Sequence, residues 1–303
     1  MRQSPDISFV VVNYNGIHHT RELLNSMRCN LDSLPVEVIV VDNGSLVNEA
    51  ELLSTEFPEH RFIRSEENLG FSGGNNLGIK ASSGDYIMLL NNDTILPDSS
   101  VRELVKTLKS NPEIGVVSPK IHFMNPPGTI QYAGFTELTR ITLRNRAIGY
   151  NEPDKGQHDI PSRTAYAHGA AMMIKREVIE KAGLMPEIFF LYYEELDWCT
   201  KIRDIGYEIW YQPASLVIHK ESQSVGQGSY IRSYYMTRNR LLYVLRNRKG
   251  FERVLAIIYQ MTVSTPTGII RSVMNGRFDL ARAYLSGTID IVTLRNKFLH
   301  TWK

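Results

Sequence analysis

Five consecutive apolar residues, Tyr86-Ile87-Met88-Leu89-Leu90, run between Ser83-Gly84 and Asn91-Asn92-Asp93. The run is too short for a globular helix and turn formers close it at both ends, the pattern of a strand buried on both faces. Pro97-Asp98-Ser99 then opens a helix. In an open α/β sheet, ligands bind at the carboxyl ends of the strands. A carboxylate on such a turn can hold a hard divalent cation and, through it, a diphosphate. The alternative is that Asn91, Asn92 and Asp93 are there only because Asn and Asp form turns well.

The same unit recurs along the chain. Ile7 to Val12 and Val36 to Val41 are further strand-like runs, ending at Asn13-Tyr14-Asn15-Gly16 and Asp42-Asn43-Gly44-Ser45. Helices are expected over 17–30 and 47–56, and a weaker strand over 61–64. Asn68 to Gly78 reads as a Gly/Asn-rich turn opening a short helix. Repeated strand–helix units predict a parallel sheet wrapped by helices, with right-handed crossovers. Parallel strands would bring the turns at Asn13, Asp42 and Asn91 to one sheet edge. Further strands are expected over 115–120 and 168–174. The stretch 125–161, rich in Pro, Gly and charge, reads as a loop or lid.

Asp42 at the end of the second strand invites a dinucleotide reading, but that needs G-x-G-x-x-G after the first strand. The residues there are Asn13-Tyr14-Asn15-Gly16-Ile17-His18, which excludes it. Glu194, Glu195 and Asp197 open a helix in which Leu196, Cys199, Ile202 and Ile205 recur at helical spacing, with Gly206 at its end. Acids in a first turn complement the helix dipole. Clustered carboxylates also raise one another's pKa, the setting a general base needs. Both readings stand on the residues alone.

Cys29 and Cys199 give neither a disulfide framework nor metal spacing, so a reducing compartment is expected. The N-terminal apolar stretch is broken by Asn13 and Asn15 and has no small-residue cleavage site, unlike a signal peptide. Residues 231–303 carry 13 Lys/Arg against 3 Asp/Glu, while the rest carries 21 against 29. An acidic body with a basic tail points to an anionic partner surface, either membrane or nucleic acid. Residues 254–270 are free of charge, but Gln260, Thr262, Ser264, Thr265, Pro266 and Thr267 interrupt them, so an interfacial or packed helix fits better than a span.

VVNYNG, VDNGS, NLGFSGGNNLGI, GDYIMLLNND, HGAAMMIKREV and FFLYYEELDWC follow in order. Together they resemble the family 2 inverting glycosyltransferases, in particular the rhamnosyltransferase-like branch of bacterial surface polysaccharide synthesis. The resemblance covers about 8–206 and extends weakly to YYMTRNRLLYVLRN. It implies an α/β fold of GT-A type with a mixed central sheet, a catalytic domain over 1–225 and a basic helical region over 226–303 for membrane docking or oligomerisation. It further implies transfer of a sugar, rhamnose among the candidates, from a nucleotide-sugar donor to a glycan or lipid-linked glycan, aided by Mg2+ or Mn2+.

By this resemblance Asn13, Asn15 and Asp42 hold the nucleoside, and Asn68, Gly73 and Asn76 belong to a loop closing over the donor. Asn91, Asn92 and His168 also fall in the donor site. Asp93 and His219 are the metal candidates; amides at Asn91 and Asn92 depart from the family's D-x-D-like motif and leave Asp93 its only charge. Glu195 falls where the family has its base, but the pair here is Glu194-Glu195, which leaves open which acid serves. Expected partners are the donor, the acceptor and an anionic membrane surface at the cytoplasmic face of the inner membrane, not nucleic acid; a homodimer is another use of the same helices. A sugar nucleotidyltransferase would need a Lys/Arg-bearing triphosphate loop, and a processive synthase a Q-x-x-R-W motif and several spans; the sequence has neither loop nor motif. A non-catalytic carbohydrate- or nucleotide-binding protein on the same fold would differ only in lacking turnover.

Overall fold

The computed structural model describes residues 5–31, 34–220 and 229–298. The chain divides into two compact units: Met1–Glu137 with Arg146–Phe190 and Glu194–Gln223, and Leu138–Asn145 with Leu191–Tyr193 and Ser224–Lys303. The expected domain boundary at 225/226 lies outside the described residues.

The first unit begins with β1 (Ile7–Asn13), α1 (Ile17–Asn30), β2 (Val36–Asn43), α2 (Glu49–Glu56), β3 (Arg61–Ser65), α3 (Gly70–Ala81), β4 (Tyr86–Asn91), β5 (Thr94–Ile95) and α4 (Val101–Ser110). β6 (Ile114–Phe123), β7 (Ile130–Tyr132), β8 (Ser162–Arg163), β9 (Ala171–Lys175), α5 (Arg176–Ala182), α6 (Glu194–Asp204) and β10 (Glu208–His219) complete it. The sheet runs β3-β2-β1-β4-β9-β6-β10-β5, with β7 on β6 and β8 on β10. The first four strands of that order are parallel, β9 runs against both its neighbours, and β10 is parallel to β6. The sheet is therefore mixed, as the resemblance implies and the strand–helix alternation alone did not.

β1 and β4 read as apolar runs because both lie in the interior of the sheet and are buried on both faces: Phe9, Val10 and Val11 on β1, like Met88 and Leu89 on β4, have no exposed surface. α1 buries Leu23, Leu24 and Met27, and α4 buries Val101, Leu104 and Leu108, the apolar stripes their spacing predicts. Each such side chain taken from water contributes about 1.5–3 kcal/mol before chain entropy is subtracted. Gly183 and Gly206, both at positive φ (78° and 96°), follow α5 and α6 and end them at backbone angles that glycine accepts freely.

Two stretches differ from expectation. The Gly/Asn-rich segment is not a turn opening a helix; from Gly70 it is the helix, α3. Its glycines permit contact with β1: a Cβ on Gly74 would lie 2.8 Å from Val12 Cγ1, and one on Gly78 2.2 Å from Val10 Cγ1. The segment expected as a loop or lid contributes β7 to the sheet and is fastened down. The Lys120 ammonium, buried on β6, pairs with Asp159 and, at 2.9 Å, with Asp154, which also meets His122 at 2.7 Å.

The second unit is helical: α7 (Tyr230–Asn247), α8 (Gly250–Tyr259), a π turn (Gln260–Ser264), α9 (Thr265–Met274) and α10 (Phe278–Phe298). Ser229 caps α7 by accepting the Arg232 N–H at 3.2 Å. Among the described residues no helix is long and apolar enough to cross a membrane.

Candidate active site

The polar turns that close β1, β2 and β4 meet at one edge of the sheet, as parallel strands require. Asn13 is fully buried there; its Nδ2 donates to Glu49 Oε2 at 2.7 Å, and its Oδ1 accepts from Thr20 Oγ1 at 2.6 Å and Asn92 Nδ2 at 3.4 Å. Glu49 also accepts the Gly16 N–H at 3.1 Å. Asn15, at φ 50°, donates its N–H to Ser45 Oγ and accepts the Leu46 N–H on Oδ1. Asp42 has no exposed surface, and its carboxylate accepts the N–H groups of Ser45, Glu49 and Ala50 and the Arg64 guanidinium. Asp42 thus shapes the β2–α2 turn from beneath.

Asn43 joins this turn to the next. Its amide donates to Asn68 Oδ1 and the Gly70 carbonyl and accepts the Leu69 N–H, while Asn68 Oδ1 takes the Gly70 N–H. Gly73 packs on Leu69, whose Cβ would lie 2.6 Å from an added methyl. Asn76 is committed to the segment ahead of α6: its amide donates to the Met185 carbonyl and Glu187 Oε1 and accepts the Met185 N–H. The Asn68–Asn76 stretch is thereby braced on both sides.

Asp93 lies just past β4 and His219 ends β10. Both are buried, with His219 Nε2 3.1 Å from Asp93 Oδ1 and His219 Nδ1 2.8 Å from Gln131 Oε1. The amide oxygen can only accept, so Nδ1 carries a proton and Nε2 is turned on Asp93. Burial works against ionisation of Asp93, but the His219 imidazole, with help from His19, outweighs it and holds the carboxyl below its ordinary value. A carboxylate and an imidazole nitrogen this close, with a carbonyl oxygen fixing the far ring nitrogen, are a donor set that suits a divalent cation. Among the described residues no cluster of three or more His, Cys, Asp or Glu surrounds such a position.

His168 stands next to this pair. Its ring stacks on Phe135 (centroids 5.7 Å, planes 8° apart) and lies 6.3 Å from the His219 ring. Burial, with repulsion from His219, pushes its pKa down to about 3. Nδ1 accepts the Ala170 N–H at 3.1 Å, so the neutral ring has its proton on Nε2. Gly169 follows, and a Cβ there would lie 3.9 Å from both Glu195 Cδ and Phe71 Cζ. Glu195 thus lies beside Gly169, the neighbour of His168. Desolvation pushes its pKa above the ordinary carboxylate value. Glu194 and Asp197, on the same first turn of α6, are buried.

The structure therefore gathers the predicted residues of the strand ends and of α6 into one region. It adds Thr20, Glu49, Arg64 and Gln131, which the sequence reading missed. Glu49 looked like an ordinary first-turn acid of α2, and Gln131 sat in a stretch with no periodicity.

The Glycosyl transferase family 2 profile matches residues 8–183. A low-salt glycan biosynthesis hexosyltransferase, Agl10 of Haloferax volcanii, is 30% identical over 245 residues, spanning 78% of this chain and 75% of that protein. A poly-beta-1,6-N-acetyl-D-glucosamine synthase of Staphylococcus epidermidis is 24% identical over 74% of this chain and 52% of its own length. Among solved structures, the mannosyltransferase PcManGT of Pyrobaculum calidifontis, in complex with GDP-Man and Mn2+, superposes with a TM-score of 0.59 at 15% identity, over 96% of this chain and 88% of that one. GalNAc-T7 with UDP, GalNAc and Mn2+ gives 0.63 at 16% identity, over 85% and 55%. The fold is thus the GT-A architecture of these glycosyltransferases, and the profile match over more than half the chain, with the hexosyltransferase relative, shows that this chain is a glycosyltransferase belonging to glycosyl transferase family 2.

Proposed function

We propose that the chain transfers a hexosyl or deoxyhexosyl group, rhamnose among them, from a nucleoside-diphosphate sugar to a hydroxyl of a glycan or lipid-linked glycan, with inversion. The supporting observation is Glu195: a carboxyl with a raised pKa beside Gly169, whose neighbour His168 stands next to the Asp93–His219 pair. Glu195 takes the proton of the acceptor hydroxyl while that oxygen bonds to the anomeric carbon. The bond from that carbon to the diphosphate breaks on the opposite face, and its electron pair leaves with the nucleoside diphosphate. A single displacement through an oxocarbenium-like state inverts the centre, as in inverting hydrolases. Asp93 and His219 would hold Mg2+ or Mn2+, which when bound neutralises the diphosphate. Asn13, Asn15 and the turn held by Asp42 shape the nucleoside pocket, Asn91 and Asn92 line the floor beside Asp93, and neutral His168 offers an N–H donor.

The base has a direct test. Glu195→Gln keeps the shape and loses the basicity, so transfer should slow by about 10²–10⁴-fold with donor affinity unchanged. The parent's rate should rise with pH through a value above the ordinary carboxylate range, and that limb should vanish in Glu195→Gln. If Glu194→Gln is the slower variant, the two acids exchange roles. If neither is slow, the acids serve only the α6 dipole.

The second unit supports a membrane-facing reading on a separate observation. Phe251, Val254, Ile258 and Met261 are all exposed and recur every three or four residues, one apolar face flanked by Lys249. That is how an interfacial helix on an anionic leaflet is built, at the cytoplasmic face if the acceptor is lipid-linked.

A further inference from the structure

The second unit encloses a cavity of about 590 Å³, formed by α7, the α8–α9 arm and α10, with Arg144 from the Leu138–Asn145 segment. Among the described residues its lining includes five arginines, Arg144, Arg232, Arg240, Arg271 and Arg277, and no Asp or Glu. Arg277 is paired with Asp279 at 2.7 Å. The other four have no carboxylate partner among the described residues. Arg240 donates to Tyr193 Oη at 3.0 Å and Ser264 Oγ at 3.1 Å, Arg144 reaches Tyr259 Oη at 3.4 Å, and Arg232 lies 5.8 Å from the centre of the Tyr192 ring. These neutral partners aim the guanidinium groups and leave their charge uncompensated.

Four unneutralised cations around one cavity repel one another, a cost that an anionic occupant would offset. Guanidinium forks match the oxygens of a phosphate two at a time, and the hydroxyls of Ser233 and Thr267 line the same space as further donors. The volume is that of a small-molecule site. Met236, Val263 and Leu280 make part of the wall apolar, and Val263 is half exposed, so the cavity has a lipophilic side as well as a cationic one.

We infer that this cavity binds a phosphate monoester or diphosphate group. As the place where a phosphorylated acceptor is held it rests on the transfer reaction proposed above; as an anion site it does not.

The test is calorimetry of inorganic pyrophosphate against the full chain without divalent cation. Three proteins are compared: the parent, Asp93→Ala, and the double variant Arg144→Gln/Arg271→Gln, whose two side chains are exposed. Parent and Asp93→Ala should bind alike, with affinity falling as salt rises. The double variant should bind about a hundredfold more weakly, since it gives up two charge-assisted hydrogen bonds that each strengthen binding about tenfold. Its melting temperature and its affinity for nucleoside diphosphate with Mn2+ should stay at parent values. Pyrophosphate affinity equal in parent and double variant, or lost in Asp93→Ala, overturns the inference. Failure of the transfer reaction instead leaves the pyrophosphate result standing and removes only the acceptor role. Phosphatidylcholine vesicles doped with phosphatidic acid identify the source. Competition with pyrophosphate marks a lipid-borne phosphate, and pyrophosphate binding without competition marks a soluble one.

Discussion

At the scale of single residues, the arrangement around His219 is the most specific feature of the site. Gln131 accepts from Nδ1 and so turns Nε2 toward Asp93. Removing that acceptor should be felt at a distance: Gln131→Leu should weaken cation-dependent binding of nucleoside diphosphate by about 10–100-fold, the usual effect of losing a group that orients a metal ligand. Asp93→Ala should abolish the Mn2+ dependence outright. Calorimetry with nucleoside diphosphate and Mn2+ reads both, and unchanged affinity in Asp93→Ala would take that residue out of the cation site. Glu195 carries the opposite electrostatic sign of perturbation. Its folded carboxyl holds its proton more tightly than in the unfolded chain, so the stability linked to it is fully present below the unfolded pKa and is lost as pH rises through the raised value. Activity and stability therefore pull apart with pH at this one side chain.

At the scale of elements, α3 shows what close packing asks of a sequence. Gly78 touches Val10 so closely that a methyl group would sit 2.2 Å from Cγ1, and a β-branched side chain has little room to swing away. Gly78→Ala gains up to about 1 kcal/mol in helix propensity and loses about 1–3 kcal/mol to overpacking, so thermal unfolding should show a net loss. Adding Val10→Ala should recover part of it; a Gly78→Ala protein as stable as the parent would dismiss the contact. This helix was also the element least visible in the sequence, because Gly and Asn announce turns unless one knows that a strand lies against them. The strands were plain for the opposite reason, since burial on both faces writes a continuous apolar run. Which way β9 runs was not written in Ala171–Lys175 at all; an antiparallel strand buried on both faces looks like a parallel one, and only the resemblance implied a mixed sheet. Of the candidate site, Asn13, Asp93 and Glu195 were legible because they end apolar strands or open a helix, while His219 was pointed to only by the resemblance. Gln131 was hidden in a stretch whose three-residue strand is too short to show a period.

At the scale of the whole molecule, charge and apolar exposure concentrate in the same seventy-odd residues, with 13 Lys/Arg against 3 Asp/Glu over 231–303. Phe251→Ser/Ile258→Ser should reduce co-sedimentation with anionic vesicles at low salt without lowering donor affinity. Equal recovery of parent and variant in the supernatant would sink the docking reading. The strand order has another consequence, one of time. Asp93 and His219 are 126 residues apart in the chain, and β10, which delivers His219, is the last strand of the sheet. Contacts of such separation form late, after loop closure has been offset by nearer ones. A chain emerging from the ribosome thus carries the turns that close β1, β2 and β4 long before it carries the histidine that pairs with Asp93. Chains halted before β10 should be inert toward nucleotide sugars, so that no donor is consumed by a catalyst still half made.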